Sequence, residues 1–144
     1  MKSVKQISIF VENTAGRMAA ILSELAENNI NINALSIADT SDFGILRLIV
    51  NDPDKAYDVI KKKGLSARIT NVVAVEMSTE VGGLADVLSK LGEAGVNIEY
   101  MYAFNGRFNN SAVVILRVDD NEKLIGTAEK HGLKLLDSEE AYSL

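Results

Sequence analysis

The sequence predicts an α+β protein made of two βαββαβ units side by side, each an antiparallel sheet with its helices on one face. Three observations carry that prediction. The first is an internal repeat: residues 16–25 align with residues 82–91, and the match runs without a gap to Asn31-Ile32 and Asn97-Ile98. Besides the leading glycines, Ala19/Ala85, Leu22/Leu88, Ser23/Ser89, Leu25/Leu91, Glu27/Glu93, Asn31/Asn97 and Ile32/Ile98 are identical pairs. Self-similarity at a fixed offset sets the architecture before any residue is read for chemistry. The second is periodicity, which alternates between strand and helix patterns in the same order in both halves. The third is punctuation: Lys62-Lys63-Gly64 and Lys130-His131-Gly132 close matching helices.

Residues 5–11 alternate, with Ile7, Ile9 and Val11 on one face, as a strand does. The turn Glu12-Asn13-Thr14-Ala15-Gly16 follows. Met18, Ile21, Leu22 and Leu25 then fall on one helix face, with Thr14 or Asn13 expected to cap the exposed amides and Asn28-Asn29 ending the helix. Residues 32–38 and 43–50 read as strands joined by the polar turn Asp39-Thr40-Ser41-Asp42. Asp52 is the N-cap of a second helix and Pro53 its first residue, where proline's missing N–H costs nothing. Ala56, Val59 and Ile60 form its inner face. Lys61, Lys62 and Lys63 suit the negative end of its dipole, and Gly64 is a natural C′ residue. A short strand over residues 67–70 closes the unit.

The second half repeats the order: strand 72–77, helix 82–94, strand 97–104, strand 111–118, a helix from Asp120 to His131-Gly132, and a last strand over 134–137. Asn105-Gly106 is a strong short-hairpin signal between its middle strands. Asn71 is nearly the whole connection between the halves, so the units are residues 1–70 and 71–144, held closely together. A βαββαβ unit is the ferredoxin-like plan. Two of them edge to edge would form an eight-stranded sheet and cover edge strands that would otherwise aggregate.

Each unit is near the lower practical size for a domain with its own core, so each is expected to lean on the other or on a second copy of the chain. A homodimer is therefore expected. Of 144 residues, 47% are hydrophobic, and none is cysteine, which excludes disulfides and thiolate metal sites. No run approaches the ~20 apolar residues of a membrane span. The start lacks a secretory core and cleavage site. The default expectation is a cytoplasmic protein. A net charge of −5 argues against nucleic acid as partner. With one histidine, His131, at a predicted helix end, and no cysteine, a metal site has little to build from. Asp39 and Asp42 flank a hairpin and read as solvated. No nucleophile triad, phosphate loop or dinucleotide fingerprint is present, so no cofactor and no catalytic residue is expected.

The informative segment is the turn between the first strand and first helix of each half: Glu12 to Met18, and Ser78 to Leu84. Glycine lets backbone approach a ligand or a neighbour closely. Amides at a helix start suit a carboxylate, and Asn13 offers a donor and an acceptor to a zwitterion. The whole pattern is strand, Asn-Thr-Ala-Gly-Arg-Met, amphipathic helix, Asn-Ile-Asn-Ile-Asn-Ala-Leu, strand. It resembles the ACT domain, an amino-acid-sensing module of many metabolic enzymes, over essentially the whole chain as two tandem copies. The first repeat, in residues 12–16 and 31–35, looks especially like the acetolactate synthase regulatory subunit. That subunit has a different second domain, and the ACT family often has proline where this chain has Ala15 and Val81.

The resemblance implies a non-catalytic protein that binds a small amino acid at interfaces between ACT units and modulates a partner enzyme in trans. Carried over from the family are Asn13, Thr14, Ala15, Gly16, Arg17 and Met18 in the first half, and Thr79, Glu80, Val81, Gly82, Gly83 and Leu84 in the second. Asn31 and Asn97 are weaker candidates whose role could be to turn the chain. Glu80 replaces Thr14, so the first turn is the better seat for a carboxylate. Arg17 could clasp it, with Gly83 at the matching place in the second half. Tyr100, Tyr102 and Phe104 share a strand face, where the first half has Ala34, Ser36 and Ala38. Core packing would keep the sizes similar, so the aromatics point to an interface or a ligand wall. The rival readings are an acylphosphatase-like hydrolase, for which Arg17 and Asn13 are present without the wider motif, an RNA-recognition sheet, for which the charge is wrong, and a pure assembly module.

Overall fold

The computed structural model describes residues 2–39, 42–106 and 110–144. The first unit contains β1 (Ser3–Glu12), α1 (Arg17–Glu27), β2 (Ile32–Asp39), β3 (Phe43–Val50), α2 (Pro53–Lys62) and the start of β4 (Ser66–Met77). The second takes the end of β4, then α3 (Gly83–Glu93), β5 (Ile98–Ala103), β6 (Ala112–Val118) and α4 (Asn121–His131). A short α5 (Ser138–Tyr142) follows. All strand pairs are antiparallel, in the order β2-β3-β1-β4-β6-β5.

Two expected strands, 67–70 and 72–77, are one. Asn71 stays in the ladder opposite Lys5, so the expected connection is strand interior. The reason lies in Val72 to Val75, all buried: Val73 and Val75 pack under the second helix pair while Val72 and Ala74 pack on the other face. A β-branched run buried on both faces favours an unbroken strand. β4 pairs with β1 through residues 66–73 and with β6 through residues 73–77. The sheet therefore has six strands rather than eight.

The expected last strand, 134–137, shrinks to one bridge between Leu135 and Val75. Two flanking bonds hold it, Glu76 N–H to Lys134 O at 2.8 Å and Leu136 N–H to Ala74 O at 3.0 Å. Asp137 then starts α5, with its own amide donating to the Glu140 carboxylate at 3.1 Å. This reach from the N-cap to the third helical residue is half of a capping box, and it ends the strand.

Three apolar cores result. One packs α1 and α2 on β1 and β3 through Ile7, Ile9, Ile21, Leu25, Leu46, Leu48 and Ile60. Another packs α3 and α4 on β4 and β6 through Val73, Val87, Leu91, Leu116 and Leu124. The third lies on the sheet face away from those helices and joins the halves: Val4, Ala34, Ile49, Val72, Phe104, Ile115, Leu136 and Ala141. It forms because the two edge strands turn toward each other. Ala34 on β2 bridges Phe104, and Asn105 N–H donates to Asn33 O at 2.9 Å. Buried Asn33 is satisfied by donating to Ala141 O and accepting from Asn31.

Asp52 and Asp120 cap α2 and α4, each accepting a backbone N–H at 3.1 Å. The expected cap on α1 is absent: Gly16 is its N-cap, in the left-handed region, and no side chain bonds there. Asn13 is held elsewhere, its N–H donating to Asp42 O at 3.1 Å. Nor is Asn105-Gly106 a two-residue hairpin. Asn105 is drawn to Asn33, and β6 begins only at Ala112. Thr40 and Ser41, in the other expected turn, lie outside the described residues.

Candidate functional site

The two candidate turns share a backbone design. Gly16 has φ 85° and ψ −14°, and Gly82 has φ 87° and ψ 0°. Both are left-handed, where a side chain is strained. Thr14 O accepts from Arg17 N–H at 3.3 Å and Glu80 O from Gly83 N–H at 3.0 Å; Gly16 O accepts from Ala20 and Gly82 O from Asp86. No side chain caps either helix. The amides of Met18 and Ala19, and of Leu84 and Ala85, are thus left to solvent or to a ligand, at the positive end of a helix dipole.

The turns differ in their surroundings. The second opens a cleft of about 730 Å³ between the end of β4, α3, Ser111 and Gly132-Leu133-Lys134. Thr79, Glu80, Val81, Gly82 and Gly83 line it, while Leu84 packs into the core beneath. Its charges are Glu76, Glu80, Asp86, Lys90 and Lys134, and Lys90 is spent on Asp86 at 2.9 Å. This mainly acidic cleft suits an ammonium better than a carboxylate. The first turn has a smaller groove of about 240 Å³ between α1 and α2, reached by Arg17 and crossed by the Lys63–Glu24 pair at 3.4 Å. Thr14 and Ala15 are exposed, and Met18 packs on the core.

Asn31 and Asn97 are not brought to the turns of their own halves. Ile32 is level with Val50, whereas Val11, at the turn, is level with Gly44. Six strand residues separate the two levels, roughly 20 Å. Instead each asparagine pins a chain reversal: Asn31 N–H donates to the Asn51 side chain at 2.9 Å, and Asn97 N–H to the Asp119 side chain at 3.1 Å.

Tyr100, Tyr102 and Phe104 lie between the halves. Phe104, just past β5, is in the shared core opposite Ala34. Buried Gln6 sits among the tyrosines. Its Nε2 donates to Tyr100 Oη at 2.7 Å and to Ser8 Oγ at 3.2 Å, and its Oε1 accepts from Tyr102 Oη–H at 2.6 Å. Arg47 stacks on Tyr100 at 3.7 Å. Sequence reasoning missed Gln6; its signal was a polar side chain in register with Val4 and Ser8 on β1.

Burial pushes the Tyr102 hydroxyl well above the ordinary tyrosine range; Tyr100 adds to the shift and Arg47 opposes it. The folded chain therefore favours the neutral hydroxyl. Its contribution to stability is complete below the unfolded value near 10 and is lost as pH rises above it. Urea midpoints of the wild-type chain should fall between about pH 9 and 11, and the fall should be shallower in Tyr102→Phe. Equal slopes would mean that Tyr102 ionises without cost. Tyr142, shifted the same way by burial, is present in both proteins and cancels.

Among the described residues no cluster of His, Cys, Asp and Glu could hold a metal ion, and no helix is long and apolar enough to cross a membrane.

The chain belongs to the ACT domain pair family, whose model matches residues 2–142. The structure is similar to that of protein BT0572 from Bacteroides thetaiotaomicron, at 43% identity and a TM-score of 0.93, covering 99% of this chain and 98% of that one. It is also similar in fold to the ligand-free regulatory subunit of aspartate kinase from Thermus thermophilus, at 15% identity and a TM-score of 0.64, covering 88% and 91% of the two chains. The corresponding subunit from Thermus flavus gives 14% and 0.60, covering 90% and 93%. No curated protein sequence matches.

Proposed function

We propose that the protein is a non-catalytic regulator that binds a small amino acid between ACT units and modulates an enzyme of amino-acid metabolism in trans. The observation that carries this reading is the pair of uncapped helix starts on left-handed glycines, in a chain of the ACT domain pair family. The free amides of the first suit a carboxylate. Arg17 at the first turn adds a cation; the acidic cleft at the second takes the ammonium end of a ligand or serves as scaffold. The fold shared with aspartate kinase regulatory subunits supports a regulatory role.

A homodimer completes the site. Leu35 and Ile37 on β2 are 44% and 53% exposed, and Met101 on β5 is 42% exposed. These apolar side chains stand on the outermost strands, where a second cytoplasmic copy would cover them. Ligand bound between copies would favour one arrangement of them, and the partner enzyme would distinguish the arrangements.

Thermal unfolding against the twenty amino acids at millimolar concentration tests the reading. A ligand at about 100 times its Kd adds about 2.7 kcal/mol, several degrees for a chain this size. One or two amino acids should shift the transition, and Gly16→Val or Asn13→Ala should reduce the shift. A folded protein that responds to none would be an assembly module.

A further inference from the structure

The sheet face opposite the four long helices carries a row of side chains that the turns do not use. Ser8 on β1 is in register with Arg47 on β3 at one side and with Arg68 on β4 at the other; Ser36 on β2 is in register with Arg47. Ser8, Arg47 and Arg68 belong to the face of Val4, Ile49 and Val72, because their strand neighbours Ile7, Ile9, Leu46, Leu48, Ala67 and Ile69 pack under α1 and α2, and Ser36 shares that face by its register with Arg47. Strands lie about 4.8 Å apart, so the two arginine backbones are about 10 Å apart with Ser8 between them, a span that two long side chains close easily.

Among the described residues, neither guanidinium has a carboxylate partner. The chain has 20 acidic and 15 basic side chains, yet the ion pairs among the described residues involve neither Arg47 nor Arg68. Arg47 is held by stacking on Tyr100, which leaves its N–H edge available. The Ser8 hydroxyl oxygen accepts from Gln6 Nε2, so its own proton is free to be donated. Phe10, one row further along β1 on the same face, is 38% exposed and offers an apolar surface beside the charges.

We infer that this row is a second ligand site, for a small dianion such as a phosphate monoester or a dicarboxylate. Two guanidinium forks match two negative charges, the hydroxyl between them supplies a central donor, and Phe10 takes the carbon portion. The site is distinct from the helix-start turns and lies on the other face of the sheet. Arg47, Arg68 and Ser8 come from the first unit and Tyr100 from the second, so occupancy bears on the seam between the halves.

Isothermal titration with inorganic phosphate, with succinate and with the monoanion acetate, at constant ionic strength, tests it. One saturable dianion site per chain is expected, with acetate much weaker; the tighter of phosphate and succinate tells which dianion class is preferred. Arg68→Gln, at an exposed position that bears on no core, should weaken binding at least about tenfold, and Arg47→Gln similarly. Lys130→Gln, on α4, should change nothing. The inference is overturned if no dianion saturates, if Arg68→Gln binds like the wild-type chain, or if Asn13→Ala abolishes binding while Arg68→Gln does not. The last result would place the anion at the first turn.

Discussion

Gly83→Ala is expected to destabilise the chain by about 3 kcal/mol, against about 1 kcal/mol for Gly16→Ala. The two positions look alike in sequence, each a glycine at a helix start, but the costs differ in origin. Gly16 has φ +85° with nothing within 4 Å of the position a Cβ would take, so alanine there meets only left-handed strain. Gly83 has an ordinary backbone, yet a Cβ would stand 2.1 Å from Ser78 O and 2.9 Å from its carbonyl carbon. These are backbone atoms and cannot rotate aside alone. The turn that Ser78 Oγ stabilises by accepting from Glu80 N–H must be rebuilt. Urea denaturation of both variants reads the difference directly. A loss below about 0.5 kcal/mol in Gly83→Ala would show that the Ser78 peptide swings away freely. The result also explains the asymmetry between the turns: the first has room for Arg17 where the second accepts only glycine.

Gln6→Ala should cost about as much, roughly 3 kcal/mol, for a different reason. The side chain is fully buried and bonds to Ser8, Tyr100 and Tyr102. Truncation opens a cavity and strands the Tyr102 hydroxyl in an apolar setting, where an unpaired donor costs about 1–3 kcal/mol. Gln6→Leu restores volume but not bonding, so it should remain destabilised. Adding Tyr102→Phe to Gln6→Leu removes the stranded group and should recover stability. The double-mutant coupling is expected to exceed about 1 kcal/mol. Additive effects would show that Gln6 and Tyr102 act separately, and that the seam rests on its apolar contacts alone.

Much of the fold was legible because repeat and periodicity report local geometry. β1, β3, α2 and α4 sit where alternation, helical spacing and the caps Asp52 and Asp120 place them. What escaped depends on contacts distant in sequence. Asn71 reads as a polar joint, but its ladder partner is Lys5, far off in the chain. Asn105-Gly106 reads as a tight hairpin, but Asn33 captures Asn105. The capping reach from Asp137 to Glu140 was local and readable, yet the strand-like pattern of Leu133, Leu135 and Leu136 hid it. For the site, the glycines were legible because φ > 0 leaves a mark on residue choice. The cleft of the second turn brings Lys134, from beyond α4, against Glu76 and Glu80, a grouping visible only after folding. The size difference between Phe104 and Ala34 does mark two positions that the fold brings together in the shared core.

β4 runs through both halves of the one sheet, and that sharing governs what can move. A chain of two modules usually flexes at its linker; here the place for a linker is a hydrogen-bonded strand anchored by β1 at one end and β6 at the other. Turning one half against the other would shear that ladder, whereas the opposite seam, between β2 and β5, is joined by a single bridge. The molecule is built like a book whose spine is rigid and whose fore-edge is lightly clasped. A signal that changes its shape has to unclasp the fore-edge, at Ala34, Phe104 and the tyrosines around Gln6, or shift whole volumes against each other.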